Sequence, residues 1–224
     1  PFSSRIEGMS WDDMRGIAAR IYRDPDALDP HSGYKAKAYP GFFHTKRSII
    51  KDTLPADDFR FPCIYSPNSE DHFCRITLDS GEVIEGPSVE YHIFKAGTGV
   101  DWSEAQYELA AERLYTLERA VQVRHWGRDR AMDESVLPSF EYLENWTNPL
   151  LGERYALDRV QFEPVMDEYY QHQGWDVETG WPTKERLAEL GMPDAYEPMV
   201  QGAQRAKEAL PDPPRAEPVP LIHG

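Results

Sequence analysis

Ser103-Glu104-Ala105-Gln106, followed by Tyr107, Ala110, Leu114, Leu117 and Val121, is the stretch on which the fold class turns. Ser103 with Gln106 three residues on makes a capping box, a helix start in which each partner satisfies the other's backbone N–H. The apolar residues then recur at steps of three and four, the period of a helix and not of a strand. Glu104, Glu108, Glu112 and Arg119 fill the opposite side. The pattern predicts a helix running to about His125 with that apolar stripe packed on a core.

Upstream, Ser10 caps a second helix in which Met14, Ile17, Ala18 and Ile21 share a face. It ends before Asp24-Pro25. From about Tyr39 the period is helical again: Phe42, Phe43, Ile49 and Ile50 form an apolar side, Lys46, Arg47 and Lys51 a basic one, and Pro55 halts the run. Ile76-Thr77-Leu78 and Val83-Ile84 flank Asp79-Ser80-Gly81-Glu82 as a small hairpin. Residues 88–96 form a short helix closed by Gly97. Downstream, residues 126–157 read as loop. Asp158 with Gln161 caps a helix bearing Phe162, Val165, Met166, Tyr169 and Tyr170, and Gly174 stops it. Thr183 opens a short helix ended by Gly191, and residues 193–207 add a weakly amphipathic one. The fold class is therefore mainly α: an irregular helical domain over residues 1–209 with at most one small hairpin, then a Pro-rich extended tail over 210–224.

The net charge is −15. That argues against nucleic acid, which needs a basic footprint, and against an anionic membrane surface. No apolar run reaches the length of a membrane span. Cys63 and Cys74 make no zinc or disulfide framework, which with the absence of an apolar leader places the chain in the cytoplasm.

Three blocks carry a family resemblance. Ala111-Glu112-Arg113 with Leu117-Glu118-Arg119-Ala120 and Val123-Arg124 is the first. Asp167-Glu168-Tyr169-Tyr170 with Gly174-Trp175-Asp176 and Gly180-Trp181-Pro182-Thr183 is the second. Leu187-Ala188-Glu189-Leu190-Gly191 is the third. In order and spacing they resemble the C-terminal domain of the tungsten-containing aldehyde ferredoxin oxidoreductase family. Upstream, Asp52-Thr53-Leu54-Pro55-Ala56-Asp57 resembles that family's second D-x-x-G-L-C motif. The resemblance implies a tungsten (or molybdenum) bis-pterin and a [4Fe–4S] cluster near residues 40–75. Asp52, Leu54, Ala56 and Asp57 would face these cofactors, Asp52 by hydrogen bonds to the pterin.

Two departures qualify the motif. Pro55 replaces Gly, and Asp57 stands where the family has its fourth cluster cysteine. A carboxylate is a harder ligand than the thiolate such a cluster prefers. Three arrangements follow: Asp57 ligates the cluster, Cys63 takes its place, or the cluster is altered or absent. His44, about two turns before Asp52, is the candidate proton shuttle because an imidazole titrates near neutrality; His31 is an equal candidate by position. The family's N-terminal pterin-cradling domain and middle domain are not represented in these residues, so the chain alone is expected to be non-catalytic. The implied activity is oxidation of aldehydes to carboxylic acids, with electrons leaving through the cluster to ferredoxin or another electron-transfer subunit. The alternatives are reduction of an aromatic acyl-CoA of the benzoyl-CoA type on the same scaffold, and a non-catalytic assembly domain for a pterin-bearing partner.

Overall fold

The computed structural model describes residues 9–54, 63–136, 146–147, 154–155 and 157–209. They are mainly α, as the periodicity predicts, and they gather into two compact units. The first comprises residues up to Tyr115 together with Pro164–Gln173; the second takes Thr116–Glu163 and Gly174 onward.

The first unit begins with α1, Trp11–Tyr22. Ser10 caps it through a capping box with Asp13, and Met14, Ile17, Ala18 and Tyr22 are buried. Two 3-10 turns follow, Pro25–Leu28 and Pro30–Ser32. Lys37 ties the first down by donating from Nζ to the carbonyls of Asp26, Ala27 and Asp29 at 2.9, 3.1 and 2.7 Å. α2 is Ala38–Thr53, so it stops two residues before Pro55. The expected hairpin is present as β1, Arg75–Thr77, and β2, Val83–Glu85, with Ile76 opposite Ile84. Gly86 follows it at a position where a Cβ would overlap the Cys63 carbonyl, so only glycine fits. α3, Val89–Thr98, runs past Gly97 and ends on Gly99 in the left-handed region (φ 68°), a conformation that favours glycine. One core of this unit joins Ile17, Ala18, Tyr22, Ala27, Phe43, Ile64 and Phe73; another joins Ile50, Tyr107 and Ala111.

α4 is Glu104–Trp126. Its capping box forms as expected, Gln106 N–H donating to Ser103 Oγ at 3.3 Å and Ser103 N–H to Gln106 Oε1 at 2.8 Å. Tyr107 is buried as predicted, but beyond it the buried face is a different one from the predicted stripe. Leu114, Leu117 and Val121 are 40–46% exposed, while Tyr107, Ala111, Thr116, Arg119, Ala120 and Val123 are buried. The reason is close helix approach. In the second unit Ala120 and Val123 pack with Leu187, Met199 and Ala203. A Cβ on Gly202 would lie 2.5 Å from the Arg124 carbonyl oxygen. Small residues permit that contact; a leucine face does not.

The second unit continues with α5, Arg130–Ser135, capped by Asp129. It lies in a stretch expected to be loop. So does an antiparallel pairing of β3, Trp146–Thr147, with β4, Arg154–Tyr155. α6, Arg159–Gln173, starts under Asp158, which accepts from the N–H groups of Val160 and Gln161; its residues from Pro164 belong to the first unit. α7, Lys184–Glu189, is capped by Thr183, and α8, Tyr196–Ala209, buries Met199, Gly202, Ala203 and Ala206. The tail over 210–224, like Ala56 and Asp57, lies outside the described residues.

Candidate functional site

Along α2, His44, Arg47 and Lys51 recur at steps of three and four and so share one helix face. This face does not point to solvent. Arg47 is 5% and Lys51 8% exposed. The basic side of the helix is thus an interior cationic strip.

Acids meet it. Arg47 pairs with Glu108, and Lys46 Nζ lies 2.7 Å from Glu108 and 3.3 Å from Glu112. Glu90, in the first turn of α3, is fully buried (0% exposed). Neither of its carboxylate oxygens has a hydrogen-bond partner in another described residue. Burial pushes its pKa up, Arg47 and Lys51 pull it down, and Glu108 pushes it up again. Tyr107, buried beside it on α4, has its phenol pushed up by burial first and by Glu90 next. Perturbed ionisable groups concentrated in one place are a mark of functional sites.

His44 is half-buried, with Nε2 2.6 Å from the Tyr22 hydroxyl. Burial foremost, with the cations Lys51 and Arg47 adding, lowers its pKa to about 4. It is therefore a neutral imidazole near pH 7 and a weak base there. His31 sits exposed at a 3-10 turn, edge-on to Trp11.

Of the motif residues, Asp52 is exposed on the last turn of α2. A free-facing carboxylate fits the donors of an amine-rich ring. Leu54 is the helix's C-cap, and its side chain packs against the Ile50–Tyr107–Ala111 core. Ala56 and Asp57 lie outside the described residues.

Burial first, then Cys74 and Glu90, push the Cys63 thiol up to about 11. A cluster ligand is a thiolate, and a metal deprotonates the thiol it coordinates. Among the described residues no group of three or more His, Cys, Asp or Glu side chains is arranged to hold a metal ion. Glu70-Asp71-His72, consecutive in sequence, diverges: Asp71 accepts from both Arg75 terminal nitrogens at 2.8 and 2.7 Å, and His72 lies 3.7 Å from Asp13.

The structure thus brings His44 to the same interior face as Arg47 and Lys51 and leaves Asp52 at its exposed end. It adds Glu90, Tyr107 and Glu108, which sequence reasoning missed. A signal existed: Arg47 and Lys51 fall three before and one after Ile50, close to the apolar side of the helix.

The first unit is thus a helical scaffold with acid and base groups buried beside α2. The sequence matches the family described as aldehyde ferredoxin oxidoreductase, domains 2 & 3, over residues 10–192. The chain belongs to that family, and at family level it is part of an oxidoreductase of the aldehyde ferredoxin oxidoreductase type. The match is to domains 2 and 3, so the family's first domain lies outside it. No solved structure matches the chain. Among the described residues no helix is long and apolar enough to cross a membrane.

Proposed function

We propose that this chain is the C-terminal part of a tungstopterin enzyme that oxidises aldehydes to carboxylic acids, with molybdenum as the alternative metal. What carries the reading is the coincidence of the family match over residues 10–192 with an exposed Asp52 at the end of α2. Asp52 would hold the pterin by accepting hydrogen bonds from its ring donors. The metal–pterin group would supply the redox centre and the oxygen-transfer site when bound. Leu54 would fix the turn by packing on the core, and Ala56 would offer its backbone.

The balanced reaction takes aldehyde and water to carboxylic acid, releasing two protons and two electrons. The electrons would pass through a [4Fe–4S] cluster to ferredoxin or another electron-transfer subunit. Asp57 would occupy the fourth cluster position, with Cys63 as the alternative ligand. His44, neutral and hydrogen-bonded to Tyr22, would contribute as a fixed hydrogen-bonding group more than as a shuttle at neutral pH. The domains that complete the pterin site would come from outside this chain, which alone would not turn over, and the enzyme would work in the cytoplasm.

The replacement of the cluster cysteine by Asp57 favours one second reading, an aromatic acyl-CoA reductase on the same scaffold. The test is the intact enzyme: metal analysis, then turnover with an aldehyde series and with benzoyl-CoA. Bound tungsten and aldehyde-dependent reduction of ferredoxin are expected. Activity on the thioester alone would replace the aldehyde reading. The absence of both tungsten and molybdenum would defeat both and leave an assembly domain.

A further inference from the structure

Leu114, Leu117 and Val121 of α4 are 41, 40 and 46% exposed. Single exposed apolar residues are ordinary. These three are contiguous, at steps of three and four along one helix, with the half-buried Ala110 one step before them. The residues that α4 buries along the same length, Thr116, Arg119, Ala120 and Val123, lie on the far side of the helix. The apolar seam therefore faces away from the packed side.

Its spacing is that of a coiled coil. From Ala110 to Leu114, Leu117 and Val121 the steps run four, three, four. With Leu114 and Val121 at the a positions of a heptad, Ala110 and Leu117 fall at d. The flanks carry opposite charges. Arg113 is a g position, and Glu118 is the e position that follows it; both are exposed. Among the described residues Arg113 has no ion-pair partner, and Glu118 accepts a 3.3 Å hydrogen bond from Gln122 on its own helix.

We propose that this seam is a self-association surface, on which α4 of a second copy lies parallel across a two-fold axis. Leu114 and Leu117 then meet their counterparts, and Arg113 of each copy pairs with Glu118 of the other. In a parallel pair a g residue faces the e residue five positions further along the partner helix. Glu118 stands five positions after Arg113, and the two-fold makes the pair twice. An antiparallel pair sets g against g and e against e. In the register that layers Leu114 on Leu117, Arg113 then faces Ala120 and Glu118 faces Ala111, so no opposite charges meet. The charges choose the orientation, and burial of the leucines supplies the attraction. Residues 110–121 span less than two heptads. So short a seam buries less than an ordinary stable interface, and the association is weak and concentration-dependent. In the dilute samples of a denaturation measurement the seam is open, and Leu117 counts as an exposed residue. The proposal does not depend on which cofactor the enzyme carries.

Sedimentation velocity of the full-length protein tests it, from roughly 5 to 500 μM, a range suited to a contact below the usual interface size. The expected result is a weight-average sedimentation coefficient that rises with concentration toward that of a dimer. Leu117→Lys, with its fold checked by circular dichroism, removes the rise. Arg113→Glu and Glu118→Arg each raise the midpoint concentration about threefold or more, and the two together bring it back. This charge swap serves if Leu117→Lys does not fold. The proposal is overturned if the protein is monomeric at every concentration, if Leu117→Lys associates as well as the parent, or if the double swap does no better than either single change. Association through another face gives the second of these results.

Discussion

At the scale of single residues, burial of ionisable groups sets the protein's response to pH. His44 has its folded pKa depressed to about 4, against about 6.5 in an unfolded chain. Below pH 6.5 the unfolded chain binds this proton and the folded one does not. Stability that is fully present above 6.5 is therefore lost as pH falls toward 4, by up to about 3 kcal/mol. Urea midpoints at pH 7 and pH 5 measure this: the gap between them shrinks in His44→Gln, whose amide still reaches Tyr22. Arg119 is the contrasting case, a buried charge with every arm engaged. It is 3% exposed, donates from Nε to the Gly180 carbonyl at 2.9 Å, meets Asp133 through both terminal nitrogens at 2.9 and 2.7 Å, and stacks over Trp175 at 5.0 Å. Arg119→Met strands Asp133 and the carbonyl and is expected to cost about 3–5 kcal/mol. Asp133 retains Arg128 at 2.7 Å, which favours the lower end. Equilibrium denaturation gives the value directly.

At the scale of elements, what was legible in the sequence was what depends on local chemistry. The caps at Ser10, Ser103, Asp158 and Thr183 form as expected because a hydroxyl or carboxylate beside free N–H groups needs no tertiary context. The existence of the hairpin is legible for a similar reason, a turn of polar residues and Gly81 between two apolar runs; its register, with Ile76 opposite Ile84, is known from the structure alone. The facing of α4 was not legible. It carries two apolar sides, one of leucines and one of alanines and Val123, and hydropathy ranks the leucines first. The choice was made by Gly202 and Ala203 on α8, which admit only a small-residue face. The burial of the basic side of α2 was not legible either, because nothing local in the sequence brings Glu108 to Arg47. The α4 facing is testable by substitution in the 224-residue chain. Leu117→Gln removes a 40% exposed side chain and is expected to change stability by less than about 0.5 kcal/mol. Val123→Ala opens a fully buried position and is expected to cost about 2 kcal/mol. Equal effects would mean that the leucine face is covered in solution.

At the scale of the whole molecule, the two units each have their own core, and the candidate site residues divide unequally between them. His44, Asp52, Cys63, Glu90 and Tyr107 all belong to the first. Gly174-Trp175-Asp176, Gly180-Trp181-Pro182-Thr183 and Leu187–Gly191 belong to the second, where they serve structure. Gly174 and Gly180 take positive φ at 72° and 68°, Asp176 N–H donates to the Trp181 carbonyl at 2.8 Å, and Trp181 Nε1–H donates to the Arg128 carbonyl at 2.9 Å. The resemblance was strongest where the sequence encodes packing and thinnest where it encodes chemistry, since turns held by glycine and tryptophan admit few substitutes. Separate cores also bear on cooperativity, because two-state behaviour holds for single domains and fails readily for composite ones. Arg119, Asp133, Gly180 and Trp175 all lie in the second unit. Native-state hydrogen exchange in rising denaturant is therefore expected to show Arg119→Met lowering the opening free energy of α7 and α8 amides, with the α1 and α2 amides unmoved. If every protected amide in both units loses the same amount, the chain unfolds as one cooperative body and the division into units has no energetic meaning.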